Sequence, residues 1–249
     1  HYIQKFEQDP FWGGTRQIGG HQEIFVCEID VDGSNFREVC KIVDEDFERG
    51  WNHTPISTSS AGDYIVISKE DWTKGEHYTE MFIMKRDGTG LKNLGEGSYP
   101  DLSPDGKKIV YQKPNQGLWI KNIDGSGDRQ IVSEGSYPAW APSINKIAFA
   151  GEQLYVVDTN GTILNALGTW KGIPDWTSSD TSKIIGYIPG KGNGLIITIE
   201  TGAVDTLFIK TGDGAGFKWS PDGSRVIGHD ENGWYISYLN GTNKWYLKP

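Results

Sequence analysis

The chain has 249 residues, a net charge of −9 and a pI near 5.1. That acid excess repels phosphate backbones and argues against a nucleic-acid partner, and no apolar run approaches the roughly 20 residues a spanning helix needs. Thirty-three glycines and ten tryptophans, with no runs of helix-favouring residues, point to many short strands joined by tight turns.

Residues 2–6 (YIQKF) align with the second strand of later modules, as in IVYQK at 109–113. The first module is therefore expected to lack its innermost strand, and the start at His1 sets the expectation of sequence upstream. Residues 7–22 read as a long loop carrying Phe11, Trp12, Arg16 and His21. A hairpin turning at Asp32-Gly33 then brings the strand of Cys27 beside that of Cys40. Registry places Cys40 nearest Phe25 or Val26, which leaves a cross-strand disulfide and two buried thiols both open. The run from Asp30 to Asn35 resembles a calcium loop but lacks the carboxylates and terminal glutamate of one, so it reads as a turn. Residues 42–54 form a long connection with Asp44, Asp46, Arg49, Trp51 and His53, and 69–80 another with Trp72, Glu76 and His77.

From here a repeat near 40 residues takes over. A strand, a Pro/Asp/Gly turn and an apolar strand recur at 99–111, 137–149, 173–187 and 216–228, with a weaker copy at 54–67. Each is followed by a third strand (118–123, 154–158, 195–200, 234–239) and a hairpin turn. Counting from the N-terminus, the turns are Asp32-Gly33, Asp87-Gly88, Asp124-Gly125, Asn160-Gly161, Thr201-Gly202 and Asn240-Gly241. Asn and Gly tolerate the positive φ such turns require. Six turns predict an all-β, single-domain, six-bladed β-propeller of four-stranded antiparallel blades, the first lacking its innermost strand. The blades fall at about 1–43, 44–95, 96–133, 134–168, 169–210 and 211–249. Three sequons begin at Asn52, Asn160 and Asn240, and turn chemistry already accounts for the last two.

The segments WSPDGSRVIG (219–228) and LSPDGKKIVY (102–111), and in part WAPSINKIAF (140–149), resemble the core motif of the TolB-like propeller family, a WD-repeat-like group. The resemblance covers almost the whole chain and implies the fold. It also implies an exported bacterial protein, periplasmic or extracellular, acting as a protein-binding platform or as a domain of a hydrolase or lyase. Trp140, Trp176 and Trp219 share one repeat position on the innermost strand, where a large ring packs between blades rather than stacking a sugar.

In such a blade the B–C and D–A connections leave one rim and the A–B and C–D turns the other. The three long connections are thus expected on one sector of one rim. Function usually resides on long loops carried by a rigid scaffold. Trp12, Arg16, Arg49, Trp51 and Trp72 are the candidate ligand-binding residues there, joined at the central mouth by Tyr99, Tyr137 and Trp170. No catalytic residue is assigned, because no nucleophile elbow or zinc-binding helix motif occurs. No cofactor is expected. A divalent metal held by His21, His53 and His77 is the alternative, as related oligogalacturonate lyases place histidines around manganese on this face. The expected partner is a protein or peptide bound without catalysis. The alternatives are a glycan, bound or cleaved by a metal-assisted lyase, and a structural role in a larger assembly.

Overall fold

The computed structural model describes residues 4–8, 11–18, 21–28, 37–44, 56–58, 63–70, 78–168, 172–177, 181–187, 193–210, 218–220, 223–230 and 232–246. Among them are 24 strands and no helix. The strands form six four-stranded antiparallel sheets, each a simple meander. Five of these sheets carry the repeat and are the blades of the propeller. Blade I holds β5 (Ile56–Thr58), β6 (Tyr64–Glu70), β7 (Thr79–Lys85) and β8 (Lys92–Glu96). Blade II holds β9 (Ser98–Leu102), β10 (Lys108–Lys113), β11 (Gly117–Asn122) and β12 (Arg129–Val132). Blade III is β13 (Ser136–Trp140), β14 (Lys146–Ala150), β15 (Leu154–Asp158) and β16 (Ile163–Ala166). Blade IV is β17 (Asp175–Trp176), β18 (Lys183–Tyr187), β19 (Asn193–Thr198) and β20 (Val204–Lys210), and blade V is β21 (Lys218–Trp219), β22 (Arg225–Asp230), β23 (Gly233–Tyr238) and β24 (Trp245–Tyr246).

The N-terminal sheet corrects the expectation. It has four strands: β1 (Gln4–Gln8), β2 (Phe11–Ile18), β3 (His21–Glu28) and β4 (Arg37–Asp44). No innermost strand is missing, because β1 occupies that place and approaches β5 of blade I. The expected six-bladed ring with an incomplete first blade is replaced by five four-stranded blades of the repeat, preceded by this complete sheet of different construction. Gly13-Gly14 misleads the sequence reading, since glycines inside a strand resemble a loop. They lie in mid-strand, opposite Val26 and Phe25. The stretch 7–22 is thus mostly strand. In the same sheet Cys40 lies opposite Val26, while Cys27 lies opposite Glu38 across a register shift.

Apolar layers between successive blades form the core. Val66, Met81 and Leu94 of blade I meet Ile109 and Tyr111 of blade II. Val110, Leu118 and Ile131 of blade II meet Trp140, Ile147 and Phe149 of blade III. Val156 and Leu167 of blade III meet Trp176, Ile184 and Ile197 of blade IV. Trp140, Trp176 and Trp219 are all buried, so the ring at this position is a packing element.

The C–D turns also brace neighbouring blades. Gly161 adopts φ +94, and a methyl group there would stand 2.2 Å from the Ile131 carbonyl oxygen of blade II. Gly202, at φ +66 in the corresponding turn of blade IV, faces open space. Gly202→Ala is expected to cost only the left-handed penalty, about 1–2 kcal/mol. Gly161→Ala should cost roughly twice that, since backbone must also move. Urea unfolding of the two variants measures the difference, and equal losses would contradict the close packing of the turn.

Candidate functional site at the propeller mouth

Each blade's innermost strand is paired on one side only, which leaves backbone donors facing the next blade. Side chains of neighbouring inner strands fill that need. Asp101 on β9 accepts from the Ser57 hydroxyl of blade I and from the Trp140 backbone N–H of blade III. Ser57 in turn accepts from the Leu102 N–H at 3.2 Å. Asp175 on β17 repeats the device two blades further on, accepting from the Trp219 N–H and from Lys218 Nζ, both at 2.9 Å. Between them stands Ala139, which has no carboxylate; there the Trp176 indole N–H donates to the Ala139 carbonyl at 2.9 Å.

Burial pushes the Asp101 carboxyl up to about 6, and nearby Asp175 adds to the rise. Lys218 and the hydrogen bonds from Ser57 and Trp140 oppose it without prevailing. These axial residues escaped the sequence reading, although the aspartate after proline in YPD (99–101) and IPD (173–175) marks them.

Above this ring the chain enters the inner strands of two successive blades through the same five residues, Glu-Gly-Ser-Tyr-Pro, at 96–100 and 134–138, which places Tyr99 on β9 and Tyr137 on β13 rather than in loops. Gly97 and Gly135 lie against the rings of Tyr111 and Phe149, where a Cβ would come within 2.5 Å. The chain then turns sharply, placing Tyr99 at φ 50 and Tyr137 at φ 55. Both precede a buried proline, which already narrows the backbone of the residue before it. The two rings meet edge to face with centroids 4.5 Å apart. A bulky side chain in the left-handed region costs of order 1–3 kcal/mol, and such residues concentrate at functional sites. Glu96 and Glu134 are exposed beside them in sequence.

A second polar cluster lies in blade II. The Tyr111 hydroxyl donates to Asp128, which also pairs with Lys113 at 2.9 Å. Burial tends to raise Asp128, but the bonds from Tyr111 and Lys113 hold it below its ordinary value. Burial and Asp128 together push the Tyr111 hydroxyl far above its own. Lys113 Nζ sits 3.6 Å from the centroid of the Trp119 ring. Buried Lys121 donates to the Leu94 carbonyl of blade I at 3.0 Å, which ties two blades together.

Of the residues singled out from sequence, Tyr99 and Tyr137 are brought into direct contact. Trp12 and Arg16 lie on β2 and His21 opens β3, so these three stand on strands rather than in a long loop. Arg49, Trp51, Trp72, Trp170, His53 and His77 lie outside the described residues. Among the described residues no three metal-ligating side chains gather, and no helix is long and apolar enough to cross a membrane.

No family model and no curated protein matches the chain. Solved structures do. TolB from Acinetobacter baumannii superposes with a TM-score of 0.68 at 17% identity, over 88% of this chain and 58% of that one. The chain thus spans under two thirds of the TolB structure. A chain of a nidogen/laminin complex gives 0.63 at 9% identity, over 91% and 90%. Oligogalacturonate lyase from Vibrio parahaemolyticus gives 0.59 at 13% identity, over 91% and 74%. These likenesses establish a TolB-like β-propeller fold.

The raised Asp101 carboxyl has a defined effect on stability. The folded chain holds that proton more tightly than the unfolded chain, so the contribution is full below about pH 4. It is lost as pH rises through about 6, by an amount of order 2–3 kcal/mol. Asp101→Asn keeps an acceptor for the Trp140 N–H and turns an amide toward Ser57. Relative to it, the natural chain should lose stability between pH 4 and 7 in denaturant titrations. A difference independent of pH would contradict the assignment.

Proposed function

We propose that this chain is an exported recognition or assembly scaffold, periplasmic or extracellular in a bacterium, that binds a protein or peptide without catalysis at the mouth on the D–A rim. The observation behind this reading is the Tyr99–Tyr137 pair, held at the starts of inner strands β9 and β13 by two copies of one five-residue segment in a strained backbone. Packing alone gives little reason for such strain, since glycine would fit both positions without it. Tyrosine offers a large, stiff contact surface with a polar tip, the type that dominates binding hot spots. Arg49, Trp51, Trp72 and Trp170 belong to the same proposed surface. So does Arg16, now assigned to β2 near the end where it meets β3, whereas Trp12 pairs with Glu7 at the β1–β2 end and falls toward the opposite rim. The similarity to a chain from a nidogen/laminin complex, itself an assembly of proteins, is compatible with a protein-binding role.

Replacing both tyrosines by glycine separates binding from folding. The change relieves two left-handed residues, about 1–2 kcal/mol each, and removes an aromatic pair worth about 0.5–1.5 kcal/mol with its buried surface. Stability should therefore shift little. Peptides selected from a display library on the natural chain should lose binding to Tyr99→Gly/Tyr137→Gly and keep binding to Thr242→Ala on the opposite rim. Selected peptides indifferent to the double change, or no selection at all, would reject the proposal. A glycan-array signal removed by the same double change would instead favour the carbohydrate-binding alternative.

A further inference from the structure

The seams between blades are not tied equally. Across the I–II seam Lys92 Nζ, at the start of outer strand β8, donates to the Asp124 carbonyl in the turn of blade II at 2.6 Å. Across II–III the equivalent Arg129 donates to the Thr159 carbonyl in the turn of blade III. Strand pairing makes these positions equivalent: Lys92 lies opposite Ile83, Arg129 opposite Ile120, and Asn165 opposite Val156. At the III–IV seam the outer link is therefore a neutral amide, and Asn165 Nδ2 stands 3.4 Å from the Ile199 carbonyl.

Three further differences fall on the same seam. Ala139 takes the place of Asp101 and Asp175, so no carboxylate caps the Trp176 N–H as they cap Trp140 and Trp219. Inner strand β17 has two residues where β9 and β13 of the two preceding blades have five, a shortness it shares with β21 of blade V. Gly202 faces open space where Gly161 presses on blade II. Among the described residues, blades III and IV are joined by the apolar layer around Trp176, that residue's indole bond and the Asn165 amide.

We infer that, of the I–II, II–III and III–IV seams, the last opens first, as a built-in hinge that leaves blades I, II and III moving together. The tyrosine pair lies on blades II and III, and so on the side that stays closed. The apolar layer sets the resting state. The missing charged ties lower the cost of parting, because a hydrogen bond from a charged donor contributes more than one from an amide.

Three residues in equivalent outer positions are similarly buried, Leu94 at 8%, Ile131 at 8% and Leu167 at 7%. Each can be replaced by cysteine in the full chain and its alkylation followed under native conditions by peptide mass spectrometry, so that Cys27 and Cys40 are read separately. Cysteine at 167 should react about tenfold faster than at 94 or 131, after correction for each variant's global stability. Asn165→Arg should slow position 167 by a similar factor, and Arg129→Asn should quicken position 131. Equal rates at the three positions, a faster rate at 94 or 131, or swaps that leave their own seam unchanged would overturn the inference. Should a cysteine variant fail to fold, amide exchange at Trp140, Trp176 and Trp219 in the natural chain follows the same opening. Trp176 should exchange fastest, and parity would count against the hinge.

Discussion

The unpaired edge of each innermost strand sets the rules for this molecule. A backbone donor shut away from water without a partner costs as much as a lost hydrogen bond, and every blade offers such donors toward its neighbour. The chain answers with short polar side chains on the adjacent inner strand: Ser57, Asp101 and Asp175. One carboxylate thereby links three successive blades, and its burial raises its pKa. Buried carboxylates are poor sources of net stability. Their value here is registry, since each fixes the height of one inner strand against the next.

Much of this was legible in the residues. The repeated proline-aspartate-glycine and asparagine-glycine turns give the meander, and alternation gives the strand faces, because both signals are local. The buried fate of Trp140, Trp176 and Trp219 follows from shared repeat position. The N-terminal sheet is hard to read from sequence because Gly13-Gly14 breaks the apolar pattern while remaining in register with Phe25 and Val26. Only pairing with a neighbouring strand resolves that ambiguity. The axial ring was hidden for a similar reason: a lone aspartate two residues after tyrosine says nothing until the blades bring Ser57 and Trp140 to it. The tyrosines were visible as candidates, but their positive φ and mutual contact arise from packing between two segments 38 positions apart.

The two segments of the mouth show how a repeat becomes specialised. Glycine in each clears space for a ring on the second strand of its own blade, and proline anchors the start of the inner strand. The tyrosine between them is left to bear the sharp turn. Duplicating the segment places a second ring where it meets the first, so one local solution yields a composite surface. That surface rests on a seam closed by a charged outer link and an inner carboxylate, which keeps the two rings at a fixed spacing.

Asp87, Asp124 and Asp158 sit at the opposite rim, where their carboxylates accept from Thr89, from Ser126 and from Thr162. Those bonds hold all three below the ordinary aspartate value, so acid loosens what they secure. The axial carboxyl has the reverse preference. Acidification therefore acts in two stages: the hub gains stability as its carboxyl takes up a proton between about pH 7 and 4, and the rim turns lose theirs only at lower pH, below the ordinary aspartate value. The centre is thus fully protonated before the margin begins to loosen.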